Sequence, residues 1–499
     1  MEVNTMKAIN LAKGISKLLA LMLAMVMLFT ACGGDPNDNP ANADGSSSTS
    51  ETNNDQTSSG EVTDGTSSPT GGGNTNGGGN TNGGGNKDNN TTNAKVWENG
   101  YLKNIPANVK SKGLHVLMWR KYTKTEQAAV NAFMKATGIN VKTTVTTEAQ
   151  YGTKLASLIS GKDSPDVVCV QSERFPGFVI KSMNPLDEKT FRLDDPIWYK
   201  AYMDCYKVNN KYFAVAINGT WSCEDCNYVT YYNPNILSGM SDPYELYKQG
   251  KWDWAAAEEI ARKVVAKGSS YSGISLQDKD LYMHTAGVDF ITYNGQKFTN
   301  TLSNNTQKSK LVNAWTELSS LVSDGLIKGW DPQGLSKGQV GLFSAISYGL
   351  YNEGGWFDAV ATKGGSGALR AVPMAGPTPD TAYVPTRPKA WGVAKGAKNP
   401  EGAAYFLRYF LDPANSNMNG TFYNSQFGEV FNIISRASTK KSIKVASGVI
   451  EYSSSGAYST LQNDLSNATP SQINTVLNSK NGIINNAVNR ANAEISRIK

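Results

Sequence analysis

A stretch of 62 residues, positions 33 to 94, constrains this chain of 499 residues more than any other feature. It contains no Phe, Trp, Tyr, Leu or Ile, and over 71–86 it runs GGGNTNGGGNTNGGGN with a six-residue period. A segment of this composition cannot offset its ordering entropy by apolar burial, so we expect a disordered spacer with a reach of roughly 40 to 45 Å. All ten Trp follow it. A packed domain is therefore predicted only over 95–499.

The residues before the spacer predict a secretory signal followed by a lipid anchor. Three lysines precede a twelve-residue apolar run over 18–29, which is too short to cross a hydrocarbon core about 30 Å thick. The run leads into TACGG, where Ala31 precedes Cys32. This resembles a bacterial lipobox, with Phe29 where that motif usually has Leu. The resemblance implies a signal peptide over 1–31, lipidation of Cys32 and a tether over 32–94 at the outer face of the cell membrane. Ordinary secretion is the alternative.

Composition limits what the folded part can do. The formal charge of +6 averages +2 on the leader and −7 on the spacer, so the folded part carries +11. That excess is mild, and it lacks the dense Lys/Arg clustering of nucleic-acid-binding proteins. The chain has two histidines, which excludes a multi-histidine metal site, and we find no G-x-S-x-G, H-E-x-x-H or P-loop in a suitable context. We expect a monomer with no cofactor, metal or nucleic-acid partner, and not an enzyme.

Short apolar runs alternate with helical periodicity over 114–170. We predict strands over 114–119, 139–145 and 166–170, and helices over 125–137 and 149–160. This β-α-β-α-β order favours an α/β fold with a mainly parallel sheet, whose ligands gather at the carboxyl ends of the strands. The residues that follow the first and third strands are therefore candidates for a site: Trp119, Arg120, Gln171 and Glu173.

Later segments continue the alternation. Extended segments are predicted over 212–216, 227–232, 340–343 and 390–393, and helices over 255–266, 311–324, 400–411 and 471–498. Asp253 is the expected N-cap of the first of these helices, and Pro400 suits the first turn of the third.

Five sequence segments, in order, carry a family resemblance. They are SPDVV at 164–168, YYNP at 231–234, WDW at 252–254, GQVGLF at 338–343, and WGVAK at 391–395 with KNPEGAA at 398–404. Together they resemble the extracellular solute-binding proteins of ABC importers, in particular the carbohydrate-type group that includes maltose-binding proteins.

The resemblance implies a two-lobed periplasmic-binding-protein type II fold, in which two discontinuous α/β lobes are joined by crossing strands. By analogy the first lobe takes 112–222 and 371–413, and the second takes 229–365 and 414–499. A carbohydrate, in our reading an oligosaccharide, would bind between the lobes and pass to an ABC permease. Closure requires contacts that the open state lacks.

A sugar cleft needs aromatic rings to stack on the sugar and polar groups around it. Besides the four residues that follow strands, we expect Trp221 and Trp391 to line the cleft. Tyr348 and Trp356 compete for one further aromatic position, and Glu353 lies in the same loop as Trp356. For each candidate the alternative is a packing residue or a solvated loop residue. We assign four other tryptophans to packing: Trp252, Trp254, Trp315 and Trp330.

Cys32 aside, the chain has four cysteines. Cys169 lies in an apolar strand and is expected to be a buried thiol. Cys223 and Cys226 form a C-x-x-C motif, and outside the membrane a disulfide using two of Cys205, Cys223 and Cys226 is favoured over half of a zinc site.

Three other functions stay open on the sequence alone. The same fold could bind an anion, a polyamine or a peptide. A surface glycoside hydrolase would need two carboxylates about 5 to 10 Å apart. The repeat-bearing tether would also suit an adhesin.

Overall fold

The structure, a computed structural model, describes residues 100–217, 227–351, 369–412, 415, 422–436 and 438–498. The strands are β1 Leu114–Met118, β2 Val141–Val145, β3 Val168–Gln171, β4 Met183–Asn184, β5 Lys207–Val208, β6 Lys211–Tyr212, β7 Tyr228–Tyr232, β8 Ser272–Leu276, β9 Ile291–Tyr293, β10 Phe298–Asn300, β11 Val340–Ile346, β12 Arg370–Pro373, β13 Val384–Thr386, β14 Lys389–Ala394 and β15 Lys441–Ile443.

The helices are α1 Ala107–Lys112, α2 Lys124–Thr137, α3 Tyr151–Ser160, α4 Gly177–Ser182, α5 Glu188–Phe191, α6 Lys200–Met203, α7 Pro243–Lys248, α8 Trp254–Val265, α9 Leu281–Thr285, α10 Asn305–Ser323, α11 Pro332–Ser336, α12 Pro400–Phe410, α13 Ser425–Ser435, α14 Ala446–Ser453, α15 Ala457–Ser466 and α16 Ile473–Ile495. Over the described ranges, no helix has both the length and the apolar character that a bilayer crossing demands.

The first lobe is built on β1, β2, β3, β4 and β14. β1 and β2 are parallel, and β3 joins β1 through the hydrogen bond from Leu117 N to Val167 O, 3.0 Å. β14 returns antiparallel and pairs with both β3 and β4. The predicted β-α-β-α-β order is therefore confirmed. Val145, at the end of β2, is 45% exposed.

The Asp166 carboxylate connects distant segments of this lobe. Asp166 Oδ2 accepts from His115 N at 2.9 Å, and its Oδ1 accepts from Lys398 N at 2.8 Å and Asn399 N at 2.7 Å. Asn399 in turn caps α12, and Pro400 occupies the first turn as predicted. The PDVV segment thus ties the first strand to a helix almost 300 residues later in the chain.

The second lobe is built on a four-stranded sheet in the order β12-β7-β11-β8. β11 is antiparallel to β7 and parallel to β8. Asp253 caps α8 by accepting from Ala256 N at 2.9 Å, as predicted. Trp252 and Trp315 are 2% and 1% exposed, which confirms them as packing residues.

The chain returns to the first lobe later than predicted. β12 pairs with β7, and β13 pairs with β15, so both belong to the second lobe. The first lobe therefore resumes at Lys389 rather than at residue 371, and the crossing is the dipeptide Arg387-Pro388. Sequence periodicity detects an extended segment at 370–373 but cannot say which sheet it joins.

Two of the crossings meet at a buried amide. Asn227 precedes β7 and bridges Thr386 at the end of β13. Its Oδ1 accepts from Thr386 Oγ1 at 2.7 Å and from Tyr202 OH, in the first lobe, at 3.2 Å. Asn227 and Thr386 are fully buried, so this junction is a buried polar contact between the lobes.

Candidate functional site

Trp119 forms an aromatic surface at the carboxyl end of β1. Its ring is partly buried and lies 5.8 Å from the Trp391 ring and 6.5 Å from the Tyr151 ring. Two cations approach the same indole: Lys389 Nζ at 4.8 Å and Arg120 Cζ at 5.3 Å from the centroid. The ring thus packs against its aromatic neighbours, and the two cations lie over it.

Arg120 is engaged in an ion pair. Its Nη1 donates to Glu126 Oε2 at 2.6 Å and its Nη2 donates to Glu126 Oε1 at 3.1 Å. Glu126 is 1% exposed and also completes the capping box of α2 with Thr123. The structure therefore gives Arg120 a part in holding the loop after Trp119, beside its contact with the ring.

Gln171 and Glu173 follow β3 and belong to a chain of polar contacts. With its nitrogen turned toward the carboxylates, the Gln171 amide donates to Glu148 Oε1 at 3.0 Å and to Glu173 Oε1 at 3.2 Å. Glu148 pairs with Arg174, and Glu173 Oε1 accepts from Arg387 Nη1 at 3.2 Å. These two predicted residues therefore lie together, in a row of polar contacts that leads from Arg174 to Arg387 at the crossing.

The crossing places two cations at this edge. β14 runs antiparallel to β3 with Lys389 opposite Gln171, so the start of β14 lies where β3 ends. The turn is held by Pro388 O, which accepts from Tyr206 OH at 2.6 Å and from Ser172 N at 3.2 Å. Arg387 and Lys389 consequently join the residues that follow β1 and β3.

The second lobe contributes Asp278, which follows β8. Its Oδ2 accepts from Lys444 Nζ at 2.8 Å and from the hydroxyl of Tyr228. Burial would raise the pKa of Asp278, but Lys444 and Arg387 outweigh it and hold the pKa well below its usual range. Arg387 thus acts on a carboxylate of each lobe: Glu173 in the first and Asp278 in the second.

A fully buried layer lies behind Asp278. Asp280 accepts from Lys444 Nζ at 2.8 Å and from Tyr458 OH at 2.5 Å. His284 Nδ1 is 3.0 Å from Ser442 Oγ, and burial lowers the pKa of His284 to about 4. Neutral at physiological pH, this histidine supports the cluster without adding charge.

Tyr348 lies at the end of β11, in the short 3-10 helix Ser347–Leu350, and is partly buried. Ser347 N donates to Asn227 O at 2.6 Å, and Ile346 N donates to Gln277 Oε1 at 3.0 Å. The turn that carries Tyr348 is therefore fixed both to Asn227 at the junction between the lobes and to the segment that leads into Asp278.

Two predicted residues have different positions from those expected. Trp391 is 0% exposed within β14, and its ring packs against Trp119 and against Phe410 at 5.6 Å. It cannot offer a face to a solute in this conformation, because it lies beneath Trp119 and supports it.

Cys205 has a buried free thiol 3.5 Å from Ala201 O, so it forms no disulfide. Cys169 is 4% exposed, as expected of a buried thiol.

Several predicted residues lie outside the described residues. They are Cys32, Trp221, Cys223, Cys226, Glu353 and Trp356.

Four residues of the site were not predicted from the sequence: Asp278, Arg387, Lys389 and Lys444. The sequence could have indicated Asp278, because it follows the run SGISL at 272–276 and residues directly after strands are favoured as ligand-binding positions. Lys389 begins a strand, and only the antiparallel pairing of β14 brings the start of that strand to the same edge. Arg387 and Lys444 meet Asp278 across more than 100 residues of chain, which no local pattern reveals.

The family model described as bacterial extracellular solute-binding protein matches residues 120–416. A comparison with curated proteins finds no match. Among solved structures, the ABC substrate-binding protein Lmo0181 from Listeria monocytogenes, in complex with cycloalternan, is 17% identical with a TM-score of 0.54, over 75% of this chain and 98% of that one. The GacH receptor of Streptomyces glaucescens, solved unliganded and with acarbose, is 15% identical with a TM-score of 0.51, over 78% and 100%. The sugar-binding protein MalE from Xanthomonas citri is 12% identical with a TM-score of 0.53, over 75% and 99%. At these identities the likeness establishes the shared two-lobed fold.

The arrangement combines an aromatic ring with hydrogen-bonding groups from both lobes. Trp119 is partly exposed, with Arg120 and Lys389 over its ring, so the uncovered part of the indole can contact an apolar face. Gln171, Glu173 and Asp278 supply hydrogen-bonding groups. Arg387 links the polar groups of the two lobes at the crossing. Such a site can hold a molecule that has both apolar faces and many hydroxyl groups.

Proposed function

The chain belongs to the bacterial extracellular solute-binding proteins, and on that premise we propose that it captures a carbohydrate, in particular an oligosaccharide, between its lobes and delivers it to an ABC permease. The observation that carries the proposal is Trp119, a partly exposed ring packed against Trp391 and Tyr151 at the end of β1, at the edge of the sheet where Gln171 and Glu173 follow β3. Sugars bind aromatic rings through their C–H faces and polar side chains through their hydroxyls. Trp221, Tyr348 and Trp356 are proposed as further rings on the same solute.

The charge balance favours a neutral solute. Arg120, Arg174 and Arg387 each pair with a carboxylate. An anion would have to compete with these carboxylates, and a polyamine would have to compete with the arginines. A polyhydroxylated neutral molecule instead extends the existing hydrogen-bond network.

The proposed role is binding without bond cleavage. A glycoside hydrolase needs one carboxylic acid whose pKa is raised so that it can protonate the leaving group. At this site the pKa of Asp278 is held well below its usual range by Lys444 and Arg387, against the effect of burial. Burial raises the pKa of Asp289 to about 7, but Asp289 is a buried residue whose oxygens accept from the main chain of Phe290, Val445 and Ala446.

We further propose that Cys32 carries the lipid anchor and that the Gly- and Asn-rich tether holds the two lobes off the membrane. The supporting features are the apolar run over 18–29, the TACGG sequence and the spacer composition. Replacing Cys32 with Ser should release the protein from the membrane fraction without changing its solute affinity.

A thermal-shift screen of the protein from residue 95 onward tests the binding proposal. The panel contains cycloalternan, acarbose, and neutral mono- and oligosaccharides, with citrate, spermidine and a peptide mixture as the other classes. A sugar at 100 times its dissociation constant should add about 2.7 kcal/mol of stability. If an anion, amine or peptide stabilises the protein and no sugar does, the carbohydrate proposal fails. Chromatography of each sugar after prolonged incubation separates binding from hydrolysis.

A further inference from the structure

Helix α14, Ala446–Ser453, lies between the two lobes. Its start is fixed to the second lobe, because Asp289 Oδ2 accepts from both Val445 N and Ala446 N at 3.0 Å. Lys444, directly before it, binds Asp278 and Asp280. The helix therefore moves with the second lobe, although its other face meets the first.

That other face approaches the main chain of the first lobe through a glycine. A Cβ added to Gly448 would fall 2.6 Å from the carbonyl carbon of Glu173, and closer still to the carbonyl oxygens of Glu173 and Phe175. Gly448 does not have a positive φ, so its backbone would accept another residue. The need for glycine is steric: no larger residue allows α14 to lie against the turn that carries Glu173.

A second close approach lies one helical turn further on. Gly177, at the start of α4, faces the Tyr452 ring so closely that a Cβ there would overlap the ring. Lys181 Nζ lies 5.0 Å from the centroid of the same ring. Both ends of α14 are thus seated on the first lobe, beside residues of the candidate site.

The two segments that meet at this contact contain three buried polar atoms without a partner. Ser172 Oγ, Glu173 Oε2 and Ser447 Oγ are buried and have no hydrogen-bond partner among the described residues. Ser172 as a whole is 0% exposed. Buried polar atoms in folded proteins are nearly always paired, so three unpaired atoms at one junction need a reason. They belong to the two segments that meet at the Glu173–Gly448 contact: Ser447 precedes Gly448 in α14, and Ser172 and Glu173 lie in the turn.

We propose that α14 is an internal competitor for the solute: it seats on the turn over 172–175 in the solute-free protein, and a solute takes that place by pairing its hydroxyls with Ser172, Glu173 and Ser447. The second half of this inference rests on the proposed function. The solute enters as the second lobe rotates and lifts Gly448 from Glu173. The apparent affinity is then reduced by the fraction of molecules in which the helix is seated.

The test uses Gly448→Val, with Gly448→Ala as the milder change. The matched control is Gly482→Val, since Gly482 is also a helical glycine of the second lobe but has nothing within 4 Å of an added Cβ. In hydrogen exchange of the solute-free proteins, Gly448→Val should lose protection over both 172–176 and 446–453, and the control should match the wild type. Unchanged protection in Gly448→Val overturns the seated contact.

Solute affinity decides the competition. The probe is whichever of cycloalternan and acarbose binds the wild type, or the panel sugar with the largest thermal shift. If nine in ten molecules are seated, unseating should tighten binding by up to about tenfold. Gly448→Val should therefore bind more tightly than Gly482→Val, and Ser172→Ala should bind more weakly than the wild type.

Equal or weaker binding by Gly448→Val overturns the inference while leaving the proposed function intact. If Gly448→Val does not fold, Gly448→Ala and Ser172→Ala give the same two comparisons. If no sugar binds any of the proteins, the proposed function fails, and the exchange experiment alone decides whether α14 is seated.

Discussion

Replacing Lys444, the cation that binds two carboxylates of the second lobe, should lower the free energy of unfolding substantially. Lys444 Nζ lies 2.8 Å from both Asp278 Oδ2 and Asp280 Oδ1, and the Lys444 and Asp280 side chains are 7% and 0% exposed. Lys444→Met keeps most of the aliphatic stem but leaves Asp280 buried without its cation. Removing one partner of a buried ion pair costs about 3–5 kcal/mol, which is a large part of the 5–15 kcal/mol that stabilises a typical domain.

The assay is urea unfolding followed by tryptophan fluorescence at pH 7. Lys263→Met is the control, because Lys263 and Glu259 form a pair with side chains 48% and 65% exposed, worth no more than about 0.5 kcal/mol. Adding Asp278→Asn and Asp280→Asn to Lys444→Met should restore most of the loss, since the buried charges then disappear together. Equal losses for the Lys444 and Lys263 variants would refute the reasoning.

The same cluster has a pH signature whose sign follows from the Asp278 pKa. A carboxyl whose folded pKa is depressed stabilises the protein above its unfolded pKa of about 3.9, and this contribution is lost as the pH falls through the folded pKa. For Asp278 burial opposes the depression, and Lys444 and Arg387 cause it. The difference in unfolding free energy between the wild type and Lys444→Met should therefore be full at pH 7 and shrink below about pH 4.

Three other changes probe the cap of α14, the aromatic surface and the first lobe. Burial raises the pKa of Asp289 to about 7. Relative to Asp289→Asn, the unfolding free energy of the wild type should therefore fall by up to roughly 4 kcal/mol between about pH 4 and 7 and then level off. Urea titrations at several pH values measure this difference. Trp119→Ala should weaken sugar binding about tenfold in the thermal-shift assay and Trp119→Phe less, while equal affinities would remove Trp119 from the site. Asp166→Asn should lower the urea midpoint by an equivalent of about 3 kcal/mol, since Asp166 accepts from three main-chain N–H groups; an unchanged midpoint would contradict that accounting.

The sequence predicted those parts of the site that depend on local pattern. Trp119, Gln171 and Glu173 follow strands whose apolar runs are read directly, and the parallel order of these strands brings them to one edge. Trp391 shows the limit of this reasoning. A tryptophan in a strand can point to either side of the sheet, and periodicity does not say which side packs against α12.

The residue at which the chain returns to the first lobe could not be predicted from local sequence either, for a different reason. β12 and β14 are both short and apolar, and each could have begun the return to the first lobe. Only the hydrogen bonds to β7 on one side and to β3 on the other assign them. Arg387 acquires its role from that assignment, because the dipeptide between the lobes is the place from which one guanidinium can act on carboxylates of both.

Five consecutive residues connect this charge to the contact between the lobes. Lys444 binds Asp278 and Asp280, the main chain at 445–446 binds Asp289, and Gly448 meets Glu173. The first three anchors are side chains of the second lobe, two of them buried, so α14 cannot swing independently without breaking them. Under the inference above, lifting Gly448 from Glu173 therefore requires the second lobe to move together with α14. Arg387 acts on Glu173 and on Asp278 from the crossing itself, so one guanidinium interacts with the turn that Gly448 contacts and with the carboxylate that Lys444 binds.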